Sequence, residues 1–138
     1  MIRVLIATAT LMVGSAACSS SPNNNPATMK IRGERVPVTR LRGVVDALCE
    51  ASDEAARDAE AARRIFFDRA HDPLHDIAAA AEEVDRSSAA RLLEAKQAVE
   101  ADLEAMGAPE LASDLGRLIA ATRDALKDLS VSTGGCDD

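Results

Sequence analysis

Apolar residues recur along this chain from Leu41 onward with the spacing of a packed helix. Leu41, Val45, Leu48, Ser52, Ala55, Ala59, Ala62 and Phe66 follow one another at alternating intervals of four and three. That spacing lines up one face of a helix against partners crossing at a shallow angle. It predicts a first helix from Thr39 past Phe66 without a break. At Asp72-Pro73 the pattern reads as a helix stop and restart, because the residue before a proline avoids the α region and proline suits a first helical turn. A second, shorter helix is expected to bury Leu74, Ile77, Ala78, Ala81 and Val84. Asp85 or Ser87 is placed to cap a third, with the stripe Leu92, Leu93, Val99, Leu103 and Met106. Gly107 then ends that helix and Pro109 opens a fourth, whose seam is Leu111, Leu115, Leu118, Thr122, Ala125 and Leu129. Short connections make successive helices antiparallel neighbours, so the expected fold is all-α, an up-down four-helix bundle over residues 38–138, with no competing strand pattern.

The residues ahead of that domain have a different character. Arg3 precedes an apolar run over residues 4–13, and Gly14-Ser15-Ala16-Ala17 supplies small residues before Cys18. That is the layout of a signal peptide over residues 1–17, and the apolar run is too short to cross a bilayer, which takes about 20 residues. Ser15-Ala16-Ala17-Cys18 resembles the lipobox of bacterial lipoproteins. The resemblance implies that Cys18 is acylated and becomes the mature N-terminus on the outer face of the cytoplasmic membrane. It departs from the family pattern at Ser15, where an apolar residue is usual. Small residues at Ser15 and Ala17 also suit ordinary cleavage after Ala17, which would release a secreted protein. Residues 18–37, rich in Ser, Asn and Pro, read as a flexible, lipid-anchored tether.

Composition changes this picture in two ways. Of 138 residues, 47% are apolar but 1% aromatic, so the core must be built from alanine and aliphatic side chains and buries little area per residue. Charge is also uneven. Lys30, Arg32, Arg35, Arg40 and Arg42 stand against Glu34 alone, while from Gly43 onward ten basic residues face twenty-two acidic ones, a net of −12. A basic collar beside an acyl chain suits anionic headgroups, and an acidic body argues against nucleic acid as a partner.

The helical region, above all FFDRAHDPLHDIAAA and AARLLEAKQAVEADL, is similar to small uncharacterised exported helical proteins of high-GC bacteria, over residues 39–130. That resemblance implies an exported location and carries no activity. The remaining chemistry comes from the residues. With Cys18 lipidated, Cys49 and Cys136 are an even pair in an oxidising setting, and a tail folding back after Leu129 brings them together as a disulfide. His71 and His75, four apart, have a spacing that holds copper or zinc when both lie on one helical turn, with Asp72 and Met106 as further ligands. Asp46, Glu50, Glu54 and Asp58 form an acidic row at four-residue spacing, a solvated face or a place for a divalent cation or basic partner. No nucleophile with a base and an orienting group stands out, so the chain is expected not to be an enzyme. The leading expectation is a non-catalytic, membrane-tethered module that meets another envelope protein, with no cofactor. The alternative is an exported copper- or zinc-binding protein.

Overall fold

The computed structural model describes residues 27–105 and 108–136. The described chain is mainly helical, as the periodicity predicts, and begins with a feature the sequence reading did not contain. Thr28–Ile31 (β1) and Glu34–Pro37 (β2) pair antiparallel, with Ile31 opposite Glu34 and Thr28 opposite Pro37. Arg32 and Gly33 make the two-residue turn with positive φ at both positions, 50° and 90°, the backbone twist that suits a tight hairpin. Residues 28–37 are therefore not part of a flexible tether. Ile31 and Val36 point one face of the hairpin into the core, and each is almost fully buried. The alternation Met29, Ile31 and Val36 around Arg-Gly carried this signal, masked by the polar residues that surround it.

Val38–Ala55 (α1) follows directly, its first N–H donating to the carbonyl of Ala27. The helix ends earlier than its apolar seam predicts. Asp58 takes an extended conformation and its carboxylate accepts the N–H of Ala61 at 2.9 Å, capping a new helix, Ala59–Ile65 (α2). A short polar side chain that captures a backbone N–H competes with continuing the helix, which is why the break falls here. Conversely, the break expected at Asp72-Pro73 does not occur. After α2 the chain runs through a π turn, Phe66–Ala70, in which the N–H of His71 reaches back to the carbonyl of Phe66, and then into His71–Val84 (α3). Pro73 lies in the first turn of α3, where its missing N–H costs least. The wider π turn ahead of it relaxes the fit to the preceding carbonyls.

Asp85 caps Arg86–Glu104 (α4) by accepting the N–H groups of Ser87 at 2.8 Å and Ser88 at 3.3 Å, one of the two capping choices expected. Leu111–Asp128 (α5) completes the set. α4 packs along both α3 and α5, and α1 lies against α2, α5 and α3, so the helices form a bundle. Its core holds Leu41, Leu48, Phe66, Leu74, Leu92 and Leu118, all with no exposed surface. Two residues assigned to buried stripes are outside it: Val84 is 63% exposed at the end of α3, and Leu93 is 43% exposed on α4.

The C-terminal tail is part of the fold. The N–H of Val131 donates to the carbonyl of Leu126 at 2.8 Å, and that of Ser130 to the carbonyl of Lys127 at 2.9 Å, with Ser130 in the left-handed conformation at φ 58°. This double closure ends α5 and turns the chain back, and Val131 is buried beside the helix it caps. The turn delivers Cys136 to Cys49 of α1. The two sulfurs lie at disulfide distance, with Cα atoms 5.3 Å apart across 87 residues of sequence. A bond closing so long a loop contributes about 4 kcal/mol in the chain-entropy account, which is substantial support for an alanine-rich core.

Candidate functional site

The histidine corner is where polar chemistry concentrates, and its geometry follows from the π turn. That turn carries Phe66 inward, with no exposed surface, and sets Phe67 edge-on to it with ring centroids 5.1 Å apart. Arg63, one turn earlier, covers the other ring at 5.1 Å from the Phe67 centroid. His71 comes next, its ring 5.5 Å from that of Phe67 and 6.2 Å from that of Phe66. Both of its nitrogens meet carboxylates: Nδ1 lies 3.0 Å from Asp72 Oδ1, and Nε2 lies 2.9 Å from Glu100 Oε1 on α4. The same Glu100 oxygen accepts a hydrogen bond from Lys96 Nζ at 2.6 Å. Lys96 is 3% exposed, so its ammonium is held inside the bundle and Glu100 answers its charge.

His75 stands one turn beyond His71, the two rings 5.0 Å apart and nearly perpendicular. Partial burial, followed by the charges of Lys96 and His71, holds its imidazole below the ordinary histidine value, against the opposing pull of Glu100 and Asp72. The hydrogen bond from His71 is the main reason that Asp72 is held below the ordinary aspartate value. The arrangement is thus a polar brace joining α3 to α4, with a buried ammonium at its inner end.

His71, His75 and Asp72 are neighbours, but both ring nitrogens of His71 are engaged by carboxylates. Among the described residues no three His, Cys, Asp or Glu side chains are arranged to hold a metal ion. Met106 lies outside the described residues, as does Cys18. The sequence reading missed Lys96 and Glu100. Lys96 falls in the gap of the stripe Leu92, Val99 and Leu103, and a lysine on a core stripe with a glutamate four residues later is the pattern that marks a buried, internally paired cation.

The acidic row also dissolves into separate contacts. Glu50 pairs with Arg69 of the π turn, Glu54 with Arg57 at 3.0 Å, and Asp58 caps α2. Asp46 remains an exposed surface residue. A second polar cluster sits where α4 ends and α5 begins. Burial, then the charges of Asp114 and Glu110, raise Asp102 above the ordinary aspartate value. Asp114 itself is 6% exposed and accepts from Arg117.

Away from these clusters, α4 and α5 leave a groove of 420 Å³ between them. Its floor is Ala95, Ala98, Ala120 and Ala121, and its rims carry Arg91 and Glu94 on one side and Arg117 and Asp124 on the other. Among the described residues no helix is long and apolar enough to cross a membrane. Comparison of the chain with protein-family models, curated proteins and solved structures finds no match.

Proposed function

We propose that this protein is a lipid-anchored, non-catalytic helical module of the bacterial cell envelope, whose up-down four-helix bundle presents an interaction surface to another protein. The observation that carries this reading is the pairing of Cys49 with Cys136. Of three cysteines in the chain, the fold uses two, and the one left over is Cys18, the residue that the lipobox resemblance marks for acylation. A disulfide between distant elements belongs to oxidising compartments, which suits export. The basic residues Lys30, Arg32, Arg35, Arg40 and Arg42 lie on the hairpin and the first turns of α1, the part of the described chain nearest in sequence to the proposed anchor, although Arg40 also reaches Asp76 of α3 at 3.6 Å. The groove between α4 and α5 supports the interaction role, because its apolar floor lies open between charged rims.

Growth with an alkyne-tagged fatty acid tests the anchor. The wild-type protein should take up the label, Cys18→Ala should lose it completely, and Cys49→Ser should keep it. A wild-type protein that takes up no label would contradict the reading.

A further inference from the structure

The α4–α5 groove has the charge pattern of a surface that fits itself. Arg117 and Asp124 on α5 are two helical turns apart and so share a face, and the midpoint between them falls at Ala120 and Ala121 on the groove floor. A two-fold axis through that midpoint, with the two α5 helices antiparallel, lays Arg117 of one copy over Asp124 of the other, and does so twice. Arg91 and Glu94 give the α4 rim of the same groove one charge of each sign as well. The groove is locally neutral, with two arginines and two carboxylates, in a body whose net charge from Gly43 onward is −12. It is therefore a place where two such bodies can meet without like charges facing each other at contact. The alanine floor lets backbones approach closely, as helix–helix packing requires. Asp124 makes no ion pair among the described residues, so its carboxylate is available to another chain.

We infer that the α4–α5 face is a homodimer interface, in which antiparallel α5 helices cross at Ala120-Ala121 and are locked by reciprocal Arg117–Asp124 pairs. A two-fold contact of this kind is self-complementary and closes at two copies. The inference rests on reading the domain as an interaction module, and names a second copy of the chain as the partner.

Sedimentation equilibrium of the full chain, purified in a density-matched nonionic detergent over a range of protein concentrations, tests it. The wild type should show reversible dimerisation. Asp124→Arg should weaken it by at least about tenfold, because each change places two like-charged pairs at the interface. Arg117 also donates to Asp114, so Arg117→Gln, which keeps an N–H donor there, should weaken the dimer to a smaller extent, because each copy then loses one charged partner. Asp124→Arg breaks no internal ion pair, so its far-ultraviolet spectrum should match the wild type and a loss of mass cannot be put down to misfolding. A wild type that stays monomeric throughout overturns the inference, and so does an Asp124→Arg variant that dimerises as the wild type does. A monomer that still takes up the fatty-acid label would leave the anchor intact and point the groove to a different protein, so the two readings fail separately.

Discussion

Asp102 is a carboxyl group that the fold places at a disadvantage. Burial and the nearby carboxylates of Asp114 and Glu110 favour its protonated form, and its pKa is raised in the folded protein. A group raised in this way adds stability that is fully present below the unfolded aspartate value, about 3.9, and is lost as pH rises through the folded value. Once ionised, Asp102 therefore works against the fold. Asp102→Asn keeps the shape and removes the charge, so thermal melting at pH 7 should shift upward by about 2 °C, and the advantage should vanish when the scan is repeated below the ordinary aspartate range. An upward shift of equal size at both pH values would mean that packing, not charge, is responsible. Lys96 is the opposite case at the same scale: a buried charge made tolerable because Glu100 lies 2.6 Å away and is itself held by His71.

At the scale of elements, α5 was legible almost residue by residue. Leu111, Leu115, Leu118, Thr122 and Ala125 are all buried, because a seam at three- and four-residue spacing has no local competitor there. The first half of the chain was harder, since two local preferences pulled against the long-range pattern. Asp58 captured a backbone N–H and broke the rod that the seam from Leu41 to Phe66 predicts, while the π turn let Pro73 join the helix it was expected to divide. The hairpin was hidden because a two-residue Arg-Gly turn is a weaker signal than Asn-Gly, and its strands are four residues each. The polar brace was half legible: its histidines stand out in the sequence, but their partners on α4 are brought in only by tertiary packing. The C-terminal closure of α5 offers a further test of element-level reasoning. Ser130 occupies a left-handed position where glycine is free of strain, so Ser130→Gly should raise unfolding stability by about 0.5–1 kcal/mol in a urea titration. Ser130→Val should lower it by at least as much.

The whole molecule combines an acidic, alanine-rich bundle with a covalent closure and a basic leading segment. Each compensates for another. The small core gains support from the Cys49–Cys136 link, which joins α1 to the tail behind α5. Lys30, Arg32, Arg35, Arg40 and Arg42 against Glu34 give the leading segment a net charge of +4, so on the proposed anchor it would be drawn to anionic headgroups while the acidic body would be repelled by them. The central claim, an exported, lipid-anchored module closed by one disulfide, is tested most directly by the intact mass of the mature chain isolated from its own cells, measured with and without reduction. The account predicts a chain that starts at Cys18, carries acyl mass on that residue, and gains the mass of two hydrogens on reduction. A chain that starts elsewhere or carries no acyl mass, with Cys49 and Cys136 free before reduction, would contradict it.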